Sequence, residues 1–205
     1  MENIANDFTI NIATANGTGS QSANLILLQS LFDMGVPVSG KTLFPSNISG
    51  LPTWYIIRLS DHGYQAPGNR TDIQVLVNPA TWEEDLAALE PGTVVLWNEN
   101  SKLEMNREDV VSYPIPMNQI ARKINPKLAK LITNIVYVGA LAEILGIEQS
   151  ALESAVKKQF KGKDSAIELN TTALEMGRAY FRENLSKKDP YIVAERAIEL
   201  SLIHI

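Results

Sequence analysis

The stretch TANGTGSQSAN, Thr14 to Asn24, lies between an alternating apolar run, FTINIATA, and a dense apolar segment, LILLQSLF. Apolar and polar residues alternate over 8–15, which predicts a strand. From Ala23 the apolar residues recur at helical spacing until Gly35, which predicts a helix that ends there. The chain therefore begins with a strand, a glycine-rich turn and a helix.

The glycine-rich turn resembles a dinucleotide-binding loop but lacks its third glycine. The spacing is Gly17-x-Gly19-x-x-Ser22, and the next predicted strand ends near Lys41 rather than at an acidic residue that could bind a ribose. NAD binding is therefore disfavoured. The backbone N–H groups and hydroxyls at a helix N-terminus still suit an anion. A plain turn, in which Ser20 or Ser22 caps the helix, explains the same residues equally well.

The rest of the first half alternates between strands and a short helix. TWYIIRLS, DIQVLVN, EPGTVVLWNEN and DVVSYPIP carry strand patterns, and NPATWEEDL predicts a short helix with acidic residues in its first turn. From Met117 onward helices dominate, over 132–146, 148–160 and 166–181. We expect an α/β fold: a three-layer α/β/α domain with a central, mostly parallel or mixed sheet and a helix-rich C-terminal half.

Composition excludes several functional classes. The 205 residues are 45% hydrophobic and 20% charged, with 18 Lys+Arg against 23 Asp+Glu and a net charge of -5. Without a basic run, nucleic acid is not an expected partner. No apolar run approaches the roughly 18 residues of a membrane span, and the N-terminus lacks a leader pattern. With no cysteine, the chain holds no thiolate metal site or cysteine-ligated iron-sulfur cluster. We expect a soluble, cytoplasmic protein that does not contact membranes.

A second loop, GKTLFPSNISGLPTW (residues 40–54), is rich in Pro, Gly, Asn and Ser. It either exposes backbone and amide donors for a ligand or simply connects two strands. Catalytic candidates are weak, because His62 and His204 have no recognisable partner. The acidic run Glu83 to Asp85 is best explained as a helix start, since adjacent residues do not converge on one face. We therefore predict no catalytic residue and no metal ligand.

Five ordered segments together resemble a known family. NGTGSQSAN, GKTLFPSNISGLPTWYIIRLS, DIQVLVNP, NIVYVGAL and QFKGK…ELNTTALEMG look like the gamma domain of 2-oxoacid:ferredoxin oxidoreductases, in the pyruvate/ketoisovalerate oxidoreductase group. The most similar form is the one at the N-terminus of the fused alpha subunit of 2-oxoglutarate-type enzymes. The resemblance covers Phe8 to Glu183.

This resemblance implies a component of an enzyme that performs thiamine-diphosphate-dependent, CoA-dependent oxidative decarboxylation of a 2-oxoacid. It implies 2-oxoglutarate and CoA as substrates, with a beta subunit and ferredoxin as partners. Thiamine diphosphate, Mg and the iron-sulfur cluster are expected on other domains or subunits. The chain alone is expected to be inactive.

The resemblance also implies boundaries and a site. We expect the gamma domain over 8–185 and a truncated start of a linker or next domain over 186–205. The end of the chain has no helix stop signal, and SLIHI resembles adapter read-through. In the related enzymes both loops lie toward CoA, and the resemblance therefore implies candidate CoA contacts in each loop. These are Gly17, Gly19, Ser20, Gln21 and Asn24 in the first loop, with Lys41, Ser46, Asn47 and Gly50 in the second. Two alternatives are a stand-alone nucleotide- or anion-binding module and an assembly scaffold.

Overall fold

A computed structural model of the protein describes residues 2–15, 17–43, 52–64, 66, 70–99 and 103–196. The strands are β1 (Ile4–Ala5), β2 (Phe8–Ala15), β3 (Val38–Leu43), β4 (Pro52–Leu59), β5 (Ile73–Leu76), β6 (Val94–Asn98), β7 (Val111–Ile115) and β8 (Tyr191–Ile192). The helices are α1 (Ser20–Asp33), α2 (Trp82–Ala87), α3 (Met117–Ile124), α4 (Ala129–Leu145), α5 (Gln149–Gln159) and α6 (Asp164–Asn184).

Six strands form a mixed sheet in the order β3-β4-β2-β5-β6-β7. Strands β2, β5, β6 and β7 are parallel, whereas β4 pairs antiparallel with both β2 and β3. The strand and helix predictions of the first half are confirmed. The hairpin β3-β4 explains why an acidic ribose-binding residue was missing after the second predicted strand, because that strand is an antiparallel edge rather than the next parallel strand.

Side chains that alternate along the strands divide the core into two parts. Ile10 and Ile12 face α1 and α4 within the larger cluster, whereas Ala13 and Trp97 face α2 within the smaller one. The predicted three layers are therefore present but unequal. One side of the sheet carries five helices, and the other carries α2 together with residues 103–110.

The predicted first helix begins earlier than expected and is capped differently. It starts at Ser20, its N-cap is Gly19, and no side chain of the described residues caps the first turn. The proposed cap by Ser20 or Ser22 is therefore wrong. Gly19 has φ +80, a conformation that glycine adopts at little cost and that turns the chain directly from strand to helix.

The helical half forms around α4, whose buried residues occupy most of its length. The helix ends where predicted, at Gly146 in the left-handed conformation. Beyond α6 the chain forms β8, which pairs parallel with β1. In the described part of the chain no single helix is long and apolar enough to cross a membrane. Helices α3 and α4 reach that length and apolar composition only when taken together, as a pair bent by 119°.

Candidate functional site

A polar pocket lies where the parallel strands end at their carboxyl edge. Its volume is about 200 Å³, and it is bordered by the ends of β2, β5 and β6 and by the first turns of α3 and α4. This edge is where open α/β sheets generally bind ligands, because loops and helix N-termini converge there. Its polar lining consists of Thr18, Asn98, Asn118, Lys130, Thr133 and Asn134.

The glycine loop forms one wall of this pocket and is held by hydrogen bonds. Thr18 Oγ1 donates to the Ala15 carbonyl at 2.7 Å, and Asn134 Nδ2 donates to the Thr18 carbonyl at 2.7 Å. Gly17 and Gly19 both have positive φ, and a Cβ on Gly19 would lie 3.0 Å from the Leu131 carbonyl oxygen. The loop is thus a tight turn pressed against α4, with its shape fixed in advance of any ligand.

The first turn of α1 offers donors beside this loop. Among the described residues no side chain caps its N–H groups, and a 14-residue helix places the positive end of its dipole there. Ser20 is buried, whereas Gln21 is exposed. An anion near this turn would meet backbone donors without displacing a side chain.

An apolar groove adjoins the glycine loop on its other side. Its volume is about 310 Å³, and Gly19, Ser22, Leu131, Ile135 and Phe160 are among its lining residues. Leu131 is 49% exposed, so its side chain is available to contact a ligand or partner in the groove. The groove suits a flexible, mostly apolar segment of a ligand or partner.

Helix α4 separates the two cavities. Lys130, Thr133 and Asn134 face the polar pocket, whereas Leu131 and Ile135 face the apolar groove. The Thr133 hydroxyl lies 3.4 Å from Asn118 Oδ1 and donates to the Ala129 carbonyl at 2.7 Å. Lys130 is the charged residue of the polar lining. The arrangement can bind a ligand with an anionic part and an apolar part.

The predicted first-loop residues all lie near this site, but in different environments. Gly17, Gly19, Ser20 and Gln21 form the turn and the helix start. Asn24 lies one turn deeper and is only 4% exposed. Its Oδ1 accepts a 2.6 Å hydrogen bond from the hydroxyl of Tyr137, so this amide oxygen is already bonded to a residue of α4.

Lys41, the second-loop candidate within the described residues, does not line the same pocket. Lys41 pairs with Ile56, which pairs with Asn11, so its side chain lies on the opposite face of the sheet from α1. It is also two strands from β2, roughly 10 Å across the sheet at the usual strand spacing. Ser46, Asn47 and Gly50 lie outside the described residues.

Sequence reasoning missed the contributions of α3 and α4. Asn98 ends a strand, Asn118 begins a helix, and Lys130 lies in the first turn of the next. Their position in the sequence could have identified them, because polar residues directly after parallel strands and at helix starts lie together at one edge of the sheet. Among the described residues, no cluster of three or more His, Asp or Glu side chains could hold a metal ion.

Comparisons with known proteins agree with this architecture. Residues 9–180 match the family described as pyruvate ferredoxin/flavodoxin oxidoreductase. The ketoisovalerate oxidoreductase subunit VorA of Methanothermobacter marburgensis is 23% identical over 177 residues, which are 86% of this chain and 37% of VorA. A 2-oxoacid:ferredoxin oxidoreductase alpha subunit of Aeropyrum pernix is 18% identical, again over 86% of this chain and over 34% of the relative.

Solved structures show the same fold. The 2-oxoglutarate:ferredoxin oxidoreductase of Magnetococcus marinus, solved with 2-oxoglutarate, coenzyme A and succinyl-CoA, superposes with a TM-score of 0.84 at 27% identity. The match covers 94% of this chain and 34% of that one. A keto/oxoacid ferredoxin oxidoreductase gamma subunit from Geobacter sulfurreducens gives a TM-score of 0.68 at 20% identity, covering 83% of this chain and 95% of that subunit.

The chain spans about a third of the length of its curated relatives. The family match nevertheless covers most of the chain, and it includes the glycine loop, the parallel strands and helices α1 to α5. The resemblance inferred from the sequence is confirmed: this chain belongs to the pyruvate ferredoxin/flavodoxin oxidoreductase family.

Proposed function

We propose that this chain is the gamma domain of a 2-oxoacid:ferredoxin oxidoreductase and that it binds part of coenzyme A at the carboxyl edge of its sheet. The observation that carries the proposal is the pairing of a polar pocket with an apolar groove on either side of one glycine loop. Coenzyme A has matching parts, because its phosphates are anionic and its pantetheine arm is long, uncharged and carries methyl and methylene groups between its amides.

The proposed contacts follow from the two linings. Lys130 faces the polar pocket and would bind phosphate oxygens, whereas the hydroxyls of Thr18 and Thr133 already donate to backbone carbonyls. The uncapped first turn of α1, at Ser20 and Gln21, adds backbone donors. The apolar groove would hold the arm against Leu131.

We also propose the reaction, oxidative decarboxylation of a 2-oxoacid, and the partners of the chain in that reaction. The Magnetococcus structure contains 2-oxoglutarate and coenzyme A, which supports 2-oxoglutarate as the 2-oxoacid. Thiamine diphosphate, Mg and the iron-sulfur cluster would lie on other domains or subunits, with a beta subunit and ferredoxin as partners. The chain alone would then be inactive. Turnover of 2-oxoglutarate by the isolated chain, with thiamine diphosphate, Mg, CoA and an electron acceptor supplied, would contradict this.

Calorimetry of CoA binding to the assembled complex tests the site. Lys130→Met should weaken binding about tenfold or more, because a charge-assisted hydrogen bond to phosphate is lost. Lys127→Met is the matched control, since Lys127 is also exposed and close in sequence but does not line either cavity. Equal affinity in both variants would remove Lys130 from the proposal.

Two further variants test the contribution of each loop to CoA binding separately. Ser20→Ala tests the hydroxyl of the first loop and leaves its backbone N–H in place, and Lys41→Ala tests the second-loop candidate, which lies two strands from β2. Weaker binding only in Ser20→Ala would confine the contact to the carboxyl edge. Unchanged affinity in Lys130→Met, Ser20→Ala and Lys41→Ala together would remove the CoA assignment.

An assembly role is the second candidate, and one observation favours it. The loop uses its own groups internally, through the close approach of Gly19 to Leu131 and the hydrogen bond between Asn134 and Thr18. A glycine loop that only shapes the domain would leave CoA affinity unchanged in the three variants above. Leu131→Glu would then weaken subunit association, measured by sedimentation.

A further inference from the structure

A second polar cavity lies on the opposite face of the sheet, beside α2. Its volume is about 130 Å³, and its lining includes Asn11 of β2, Gln74 of β5 and Asp85 of α2. Asn11 and Gln74 lie opposite one another in adjacent parallel strands, so their side chains leave the sheet on the same face. No residue of this cavity lines the pocket at the carboxyl edge.

Three buried polar atoms in this cavity lack a hydrogen-bond partner among the described residues: Asn11 Oδ1, Gln74 Nε2 and Asp85 Oδ2. Gln74 and Asp85 are only 4% and 7% exposed. Five buried side-chain atoms of the described residues lack a partner, so three of them share one small cavity. Because buried polar groups are normally satisfied, such a concentration indicates a bound species.

The charge of the lining limits what that species can be. Its ionisable residues are both acidic, Asp85 and Glu90. Glu90 is partly compensated by Arg70, 3.7 Å away at the exposed rim, but Asp85 has no cationic neighbour in the lining. Its other oxygen, Oδ1, accepts a 2.7 Å hydrogen bond from the Trp54 indole. Positive charge is therefore what the buried end of the cavity lacks.

The pKa of Asp85 agrees with this description. Burial raises the pKa of its carboxyl group, and the nearby Thr81 hydroxyl and Trp54 indole lower it by less. A counter-charge in the cavity would favour the ionised carboxylate.

We propose that the cavity between β2, β5 and α2 binds a monovalent cation through Asp85 Oδ2 and Asn11 Oδ1. A water molecule in the shell of the ion accepts the hydrogen bond that Gln74 Nε2 offers. A cation and one or two waters fit the volume, since a water occupies about 30 Å³ of liquid. Calcium and magnesium match less well, because they favour several carboxylates or near-ideal octahedral oxygen ligands. The bound ion fixes α2 to the sheet.

Thermal unfolding of the 205-residue chain tests the proposal, at constant ionic strength in KCl, NaCl or NH₄Cl against tetramethylammonium chloride. At about tenfold excess over Kd, at least one small cation should raise Tm by roughly 3–6 °C in a chain of this size. Asp85→Asn should abolish the difference between salts. Glu153→Gln is the control for charge: it removes one carboxylate from the surface of α5, and its response to the cation should match the original chain.

Two more variants cover the case in which Asp85→Asn does not fold. Asn11→Ala removes the second oxygen and should also abolish the response. Trp54→Phe removes the hydrogen bond to Oδ1 but leaves Oδ2 unchanged, so it should keep the response. Equal Tm values in all four salts would overturn the proposal, and so would a response retained in Asn11→Ala. A crystal structure grown in the stabilising salt that shows only water in the cavity would overturn it as well.

Discussion

The hydroxyl of Tyr137 donates a 2.6 Å hydrogen bond to Oδ1 of Asn24, joining α4 to α1 directly behind the glycine loop. Both residues are buried, and burial raises the pKa of the Tyr137 hydroxyl, so it remains a donor. Helix α4, which lines both cavities, is thus fixed to α1, which lines the apolar groove through Ser22, by a polar contact inside an apolar core.

Removing this hydroxyl should destabilise the fold. Tyr137→Phe leaves the buried Asn24 oxygen without its donor, which costs about 1–3 kcal/mol of unfolding free energy. Urea denaturation measures the loss. The control is Tyr64→Phe, because Tyr64 is 66% exposed and its change should stay within about 0.5 kcal/mol. Equal stability of both variants would mean that the contact is not formed.

Most of the fold was predictable, because its strands and helices have clear periodicity. The alternation over Phe8–Ala15 predicted a strand and the apolar run before Gly146 predicted a buried helix, and both are present. The missed features depend on tertiary contacts. The short strands β1 and β8 exist only because they pair with each other, and the cap at Gly19 depends on the backbone of α4.

The candidate site was less predictable for the same reason. Its glycine loop is one continuous motif, but Asn98, Asn118 and Lys130 come from three separate segments. Asp85 shows the opposite problem. The sequence correctly indicated a helix start over Glu83 to Asp85, but only the three-dimensional structure shows that Asp85 is buried and bonded to Trp54.

The two glycines of the loop should respond differently to alanine. Gly17 has open space around an added Cβ, whereas Gly19 would place it 3.0 Å from the Leu131 carbonyl oxygen. Both have positive φ, which costs about 1–2 kcal/mol for a non-glycine residue. Gly19→Ala should therefore lose more unfolding free energy than Gly17→Ala in the same urea experiment. The reverse order would contradict the close packing of the loop on α4.

Glycine also sets the distance between α4 and α6. A Cβ on Gly139 would lie 2.1 Å from the Leu174 carbonyl oxygen, and the backbone cannot give way without moving a helix. Gly139→Ala should lose about 3 kcal/mol or more of unfolding free energy, despite the better helix propensity of alanine. Gly63→Ala is the control, because it has positive φ and open space and should lose only the backbone cost. Similar losses would show that the helices are not in close contact.

Glu143 should make stability depend on pH. Hydrogen bonds from Arg182 and Arg178 hold the pKa of its carboxyl below the usual 4.5. Because the folded pKa is lowered, the contribution is complete above about pH 4.5 and is lost as the pH falls through the folded pKa. Glu143→Gln should lose about 1–2 kcal/mol of unfolding free energy at pH 7, and this difference should shrink below pH 4.

The control for this measurement is Glu153→Gln. Glu153 lies 3.9 Å from Lys157 in an exposed pair, so its loss should cost less than about 0.5 kcal/mol at any pH. A difference between the original chain and Glu143→Gln that stays constant from pH 7 to pH 3 would contradict the ionic origin of the contribution.

Residues 186–196, which were expected from the sequence to lie outside the domain, contact its core. Asp189 Oδ2 accepts a 2.7 Å hydrogen bond from the Tyr113 hydroxyl, and Tyr191 and Val193 are buried in the main core. A chain ending at residue 185 should therefore unfold more easily than one ending at 196. Loss of the two buried side chains alone costs roughly 3–6 kcal/mol, as an upper bound. Urea denaturation of the two chains decides the boundary: equal stability would support an end at 185, whereas the expected loss would extend the folded unit through Val193.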